Sequence, residues 1–505
     1  MVGAVLMVLI LCLQIFKMFR GFPSSYKGNK LPPGLRWSFP LIGHLYLFKG
    51  DPIGVFMKLS QTFGGMFLIN FGPSTAAIIL DPDFIDQAIK EDAIPSRPLK
   101  EMESQALIRG KRNPDGSLPG IAFSDGVIWR EQRKFAFQQL VNLGFGQNSS
   151  IEEVIRSESE DMIRMLKVKS EDGAISYVFT PNDFIRHALN VVWHFVSGNE
   201  SPISDELLLA AKDFMKSQSP GFLSTLQLYS PTLLRLTAAL GQRNMLTSRR
   251  KVDEMINQQI ADHKESFDPL HVRDFIDAYL LKIRETKNPE SSFYQESGEV
   301  NMRNSMFDLF IAGLDTTATT LSWAMVYMMR WPQIQTKVQE EIDRVIGDVV
   351  PSLKHRALTP YVEATLLEIQ RMACIVPWLP RATVEDVVIG PYAIPKNTHV
   401  LCIIKNVTHN PSIFPQPQQF KPERFLSADG TKFEKGDRVV TFGMGKRKCP
   451  GENMARMELY MFFVSIMQNF TIESVCDPEE IPLRGNLGLV DEPQPCEARI
   501  QTRCR

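Results

Sequence analysis

Cysteine is scarce and scattered in this chain. Only seven of 505 residues are cysteine, and Cys12, Cys374, Cys402, Cys449, Cys476, Cys496 and Cys504 form no CxxC pair. That usage excludes a disulfide framework and suits a reducing compartment. An excess of charge of one sign is missing as well. The formal net charge is −1, so nothing global points to nucleic acid. No linker or charge block interrupts the chain after residue 44, and no internal repeat is visible. Length alone would suggest about three domains. With 44% hydrophobic residues, one large, mainly helical unit fits better.

One long apolar run opens the chain. Residues 2–16 are apolar except Gln14, and extending the run to Phe19 takes in Lys17. About 18 helical residues just cross a hydrocarbon core of about 30 Å. A cleaved leader would carry basic residues before the run and a small-residue cleavage site after it. Neither is present, which predicts a retained anchor over 1–19. Lys17, Arg20, Lys27 and Lys30 follow, so the bulk of the protein is expected on the cytoplasmic side. A basic, Pro-rich linker over 20–44 includes Leu31-Pro32-Pro33-Gly34-Leu35, where paired prolines stiffen the chain. Residues 45–505 are then the catalytic unit.

Of the seven cysteines, Cys449 alone has a built environment, Phe442-Gly443-Met444-Gly445-Lys446-Arg447-Lys448-Cys449-Pro450-Gly451. Gly445 permits backbone conformations closed to other residues. Three cations precede the sulfur, and the helix that follows would aim its N-terminus at it. These features favour thiolate. A lone thiolate suits one axial bond to a haem iron, whereas zinc and iron–sulfur clusters need several ligands. The plainer alternative is a buried free cysteine in a Gly-rich loop.

A second feature lies over a hundred residues upstream. An apolar helical pattern runs from about Asn301 to Trp331, closed by Pro332. Ala312-Gly313-Leu314-Asp315-Thr316-Thr317 in its middle breaks local propensity. A Thr316 hydroxyl bonded to the Ala312 carbonyl would open the helix locally into a polar notch. Ordinary threonines at a packing face would give the same letters.

Phe-x-x-Gly-x-Arg-x-Cys-x-Gly resembles the haem-binding signature of the cytochrome P450 family, and the likeness spans nearly the whole chain. It is closest to the animal microsomal class. It implies a mainly α fold with small β-sheets, preceded by a single N-terminal transmembrane helix. It also implies haem b ligated by Cys449. The Ala312–Thr317 hexad is similar to the family's acid–alcohol pair, which would make Thr316 and Asp315 the proton-handling residues. Glu368-Ile369-Gln370-Arg371 and Pro422-Glu423-Arg424-Phe425 resemble family elements that imply a structural network of Glu368, Arg371 and Arg424. Thr359-Pro360 reads as the N-cap and first position of the helix carrying Glu368. Trp129-Arg130-Glu131-Gln132-Arg133 resembles the Trp-x-x-x-Arg helix. Trp129, Arg133, Arg381 and Arg447 would hold the haem propionates, with Phe442 beside the cofactor.

By the same resemblance, Phe123, Phe307, Phe310, Ala312, Val376, Trp378 and Leu489 are candidate substrate contacts. The apolar stretch 219–240 would either touch the membrane or be buried. Arg130, Lys134, Lys446 and Lys448 would steer an acidic-faced NADPH–cytochrome reductase, with cytochrome b5 a second candidate donor. The implied reaction inserts one atom of O2 into a steroid, fatty acid or xenobiotic at the endoplasmic reticulum membrane. The alternatives are a haem-thiolate isomerase or dehydratase of peroxides, which tends to lack the acid–alcohol pair, and a non-enzymatic haem sensor.

Overall fold

A computed structural model describes residues 22–503, apart from 36, 40, 41, 49, 73, 98–102, 145–150, 172–176, 199–202, 219–221, 243 and 435. The expected anchor over 1–19 lies outside the described residues. The described chain is mainly helical with small sheets.

Eight helices position the site. They are α1 (Gly126–Gln139), α2 (Asn182–Ser197), α3 (Asp205–Ser217), α4 (Met245–Ser266), α5 (Phe275–Glu285), α6 (Gln295–Arg330), α7 (Pro360–Ala373) and α8 (Glu452–Asn469). The strands used below are β1 (Met66–Phe71), β2 (Ser74–Ile79), β3 (Leu379–Ala382), β4 (His399–Cys402), β5 (Phe470–Ser474) and β6 (Glu497–Thr502).

α6 is the axis of the molecule. Among the described residues it is the one helix long and apolar enough to cross a membrane, yet 78% of its apolar window is buried inside the protein. It is therefore the core helix, apolar on nearly every side because neighbours cover nearly every side. It begins six residues before the expected Asn301, because its first turns are polar and carry no apolar periodicity. It ends at Arg330. Trp331 takes an extended conformation (φ −126°, ψ 71°), as a residue before proline must, and Pro332 opens the next helix. Gly313 lets α2 approach closely: a Cβ there would come within 2.6 Å of the Val192 side chain.

β1, β2, β4 and β3 form a four-stranded sheet in that order, with β2 and β4 parallel and the other pairs antiparallel. Its register sets Arg381 opposite Val400. β5 and β6 pair antiparallel at the C-terminus, Phe470 opposite Thr502 through Ser474 opposite Ala498. One correction concerns α7. Thr359 occupies its N-cap position but makes no side-chain capping bond. Its hydroxyl donates instead to His355 O at 3.0 Å and lies 2.9 Å from the Tyr460 hydroxyl.

Candidate haem and oxygen site

The cysteine loop is a tight turn bonded to itself. Gly443 and Gly445 have φ of 75° and 66°, and a Cβ at Gly445 would meet the Ile89 carbonyl oxygen at 2.8 Å. Only glycine fits there. The Cys449 amide donates to Phe442 O at 2.9 Å and closes the loop. α8 starts just beyond, with Gly451 as its N-cap, and the Gly451 amide bonds the Cys449 sulfur.

The neighbouring cations do less for that sulfur than their spacing predicts. Lys446 pairs with Asp92, Arg447 with Asp125 at 2.7 Å, and Lys448 with Glu452 at 2.6 Å. Burial pushes the Cys449 thiol above its ordinary value. The Gly451 amide pulls it back, Glu452 pushes it up again, and Arg133 and Lys448 pull it down. The cysteine's exposed surface opens on an internal cavity of about 390 Å³. A cation bound in that cavity is what would hold the sulfur as thiolate.

Arg97, Arg133, Arg381 and Arg447 line this cavity, together with Trp129 and Phe442. The Arg447 guanidinium lies 3.8 Å over the Trp129 ring. Arg133 donates to Lys448 O. Arg97 donates to Ala122 O at 3.1 Å and Pro380 O at 2.9 Å, and Arg381 to Pro380 O at 2.9 Å. Among the described residues, the only carboxylate bonded to any of the four guanidinium groups is Asp125. Burial, then repulsion by Arg381 and Arg447, holds the Arg97 pKa well below its ordinary value. Arg447 is pushed down to about 9, burial again the main cause. Its buried Nη1 has no partner. An apolar-walled cavity rimmed by four crowded guanidinium groups, one of them with an unpaired N–H, fits a flat ligand carrying two carboxylates, as haem does.

The sequence reading missed Arg97. It lies in an extended segment with no periodic neighbour to mark it. The reading also missed Glu458 on α8, which lines the cavity, is fully buried and is pushed up to about 8 by that burial. A lone carboxylate ahead of the apolar run Leu459–Phe463 was the available signal.

α6 supplies another wall, with Ala312, Gly313, Thr316 and Thr317 facing the cavity. The Thr316 hydroxyl donates to Ala312 O at 2.9 Å, and the Thr320 hydroxyl to Thr316 O at 2.9 Å. The helix nevertheless runs unbroken through this stretch, so the notch consists of side chains and small residues, without local opening. The structure separates the acid from the alcohol. Asp315 does not line the cavity. It is buried, accepts from Thr319 at 3.2 Å, and is raised by burial while Lys212 of α3 draws it down.

Glu368, Arg371 and Arg424 come together away from the cavity. Arg371 donates to the two Glu368 oxygens at 2.6 and 2.9 Å, and Arg424 adds a bond at 3.1 Å. Arg371 also donates to Thr408 O and Pro417 O. Glu368 and Arg371 have no exposed side-chain surface, so this i, i+3 pair is no surface salt bridge.

Among the substrate candidates, Ala312, Val376 and Trp378 line the cavity, and Phe123, Phe307, Phe310 and Leu489 do not. Two of these are corrections with clear causes. Phe307 packs into the core edge-on to Phe214 and under the Arg249 guanidinium, and Phe310 packs edge-on to Trp193. Helix periodicity marks both as buried but does not say against what. The Phe123 ring is covered by Arg109, and Leu489 is 40% exposed to solvent.

Residues 32–498 match the family model described as cytochrome P450. Three relatives illustrate the likeness. Cytochrome P450 2H1 of Gallus gallus is 31% identical over 508 residues, covering 99% of this chain and 98% of its own. Cytochrome P450 2B2 of Rattus norvegicus is 32% identical over 480 residues, 92% of each chain. Cytochrome P450 2J2 of Homo sapiens is 32% identical over 497 residues, 96% of this chain and 94% of its own.

Proposed function

The chain belongs to the cytochrome P450 family of haem-thiolate monooxygenases, and from that premise we propose that it inserts one atom of O2 into a lipophilic small molecule, drawing electrons from NADPH through a flavoprotein reductase. One observation carries the reading: the Cys449 sulfur and the Gly313 and Thr316 positions of α6 open into the same cavity. Cys449 would hold haem b there, and the bound group would supply the redox chemistry for oxygen activation.

The protein's own residues bind, orient and move protons. Arg97, Arg133, Arg381 and Arg447 take the propionates, and Trp129 backs Arg447. The Thr316 hydroxyl donates a hydrogen bond to Ala312 O, so its lone pairs can accept a hydrogen bond from a water in the cavity. Rotated, the same oxygen donates. Asp315, raised by burial, sits behind it on the side of Lys212 and can resupply a proton by way of water. Ala312, Val376 and Trp378 give the cavity apolar wall, which suits a lipophilic substrate.

Exposed apolar side chains support a membrane setting. Leu223, Leu236 and Leu240 project from the 219–240 stretch, and Trp37, Phe39 and Tyr46 project near the end of the linker. With the apolar run at 1–19, they favour residence on the endoplasmic reticulum membrane. Arg130 and Lys134 are exposed on α1, on the helix that carries Trp129 and Arg133, where an acidic reductase face would meet them.

The test is spectral, then kinetic. The reduced protein under carbon monoxide is expected to give a thiolate-type band, and reductase with NADPH to give oxygenated product. Thr316→Ala should keep the band and lower product formation about a hundredfold, the lower range for a lost proton-transfer group. No thiolate band would overturn the haem-thiolate reading. A band without reductase-dependent product on any lipophilic compound would favour the isomerase or the sensor.

A further inference from the structure

The β5–β6 ladder carries a feature unrelated to the haem cavity. Its last regular pair is Ser474 opposite Ala498. The ladder then continues one step, because the Val475 amide donates to Glu497 O at 3.3 Å. The next opposed pair is Cys476 and Cys496. Because Val475 and Glu497 form the hydrogen-bonded pair, the two cysteines fall in the non-hydrogen-bonded class, where Cα atoms are about 4.5 Å apart and side chains are closest. A disulfide spans Cα separations of about 4.4–6.8 Å. Side chains two apart share a sheet face, and both thiols lie on the face of Ser474 and Ala498. The Ser474 hydroxyl stands 3.3 Å from the Cys476 sulfur. Cys476 is exposed and Cys496 is buried beside it, close enough for the two thiols to share a hydrogen bond.

We propose that Cys476 and Cys496 form a reversible cross-strand disulfide, a modification site that takes a peroxide as its oxidant. The exposed Cys476 reacts first. Its thiolate attacks one peroxide oxygen, the O–O bond breaks, and after protonation one water leaves while a sulfenic acid remains. The Cys496 sulfur then attacks the Cys476 sulfur. An S–S bond forms, and the second oxygen leaves as water with the Cys496 proton. Two thiols and one hydrogen peroxide become one disulfide and two waters. In a reducing compartment a thiol reductant restores the pair.

The bridge would clamp the base of the loop 477–495. That loop reaches the core: the Asp491 amide donates to Ile375 O at 2.7 Å, and the Trp323 indole of α6 donates to Asp491 O at 2.7 Å. Closing it restricts a segment that packs directly against the cavity wall at Ile375. None of this depends on the reaction proposed above.

The test uses the full chain. The protein is treated with a few equivalents of hydrogen peroxide, alkylated, digested without reductant and mapped by mass. The expected product joins the peptides of Cys476 and Cys496, is released by dithiothreitol, and is absent from Cys476→Ser and Cys496→Ser. The oxidised wild type should melt a few degrees higher than the reduced, a difference that Cys476→Ser abolishes. Since Cys476 is exposed, that variant should fold. Accumulation of sulfinic acid on Cys476 with Cys496 still free would overturn the proposal. So would a bridge from either residue to another cysteine.

Discussion

Two arginine clusters in this molecule are built from the same residue classes and have opposite states. Around Glu368, the guanidinium groups of Arg371 and Arg424 end on a carboxylate or on backbone carbonyls. Around the cavity, Arg97, Arg133, Arg381 and Arg447 share one bonded carboxylate among the described residues, and Arg447 Nη1 has no partner. A charge cluster that closes on itself holds the chain. One left open holds something else. Burial alone does not separate the two, because both are largely inside. Pairing does.

The largest test breaks the closed cluster. Glu368→Gln leaves the buried Arg371 guanidinium and the partly buried Arg424 guanidinium against a neutral amide. Removing one member of a buried ion network costs about 3–5 kcal/mol, a large share of the about 5–15 kcal/mol that holds a typical protein folded. The expected outcome is a protein that expresses poorly and melts far below wild type, measured by calorimetry or by yield of soluble chain. A variant that melts like wild type and merely binds less haem would place Glu368 in the open class and erase the distinction.

The next test acts on the open cluster and should give the opposite pattern. Arg381 has no carboxylate bonded to it among the described residues, and burial and the Arg133 charge lower its pKa. In Arg381→Gln the unliganded chain should melt at or slightly above the wild-type temperature, since a crowded cation has gone. Haem should leave about tenfold faster or more in transfer to an apo-globin, because a charged hydrogen bond is worth about 1.5–3 kcal/mol. Loss of stability without loss of haem affinity would make Arg381 structural.

The two clusters were also unequally legible in the sequence. Cys449 could be read from its letters because a positive-φ glycine and a loop closed on itself require particular residues at fixed spacing. Glu368 and Arg371 could be placed on one helix face, but i, i+3 spacing does not tell a buried pair from a solvated one. The acid–alcohol reading named two adjacent residues. It could not see that adjacent positions on a helix point about 100° apart, so Thr316 faces the cavity while Asp315 faces away. Arg97 was invisible because its role comes from long-range packing of an extended segment beside β3. The facing of Cys476 and Cys496 was hidden for a related reason: it is fixed by strand register across nineteen intervening residues, and no spacing rule reports that.

The smallest test uses a third charge cluster, remote from both. His263 of α4, with Asp274 and Asp277 at the start of α5, brings three ligand-type atoms within 4.8 Å of one another. Arg273 donates to both Asp277 oxygens at 2.5 and 2.9 Å, and His263 Nε2 lies 2.8 Å from Asp274. The cluster is closed, so by the pairing rule it should serve stability alone. Burial opposes charge on His263, but the hydrogen bond and charge of Asp274 outweigh it, and the pKa is raised. A raised histidine contributes stability that is complete below its unfolded value, about 6.5, and is lost as pH climbs through the folded value above that. Asp274→Asn keeps the cap on the Asp277 amide, which the remaining oxygen can accept, and removes the charge. The melting-temperature gap between wild type and variant should therefore be wider at pH 6 than at pH 8.5, by about 1–2 °C for a chain of this size. Haem affinity and turnover should not change. A gap that widens toward high pH would reverse the sign of the linkage and place neutral His263 as the form the fold prefers.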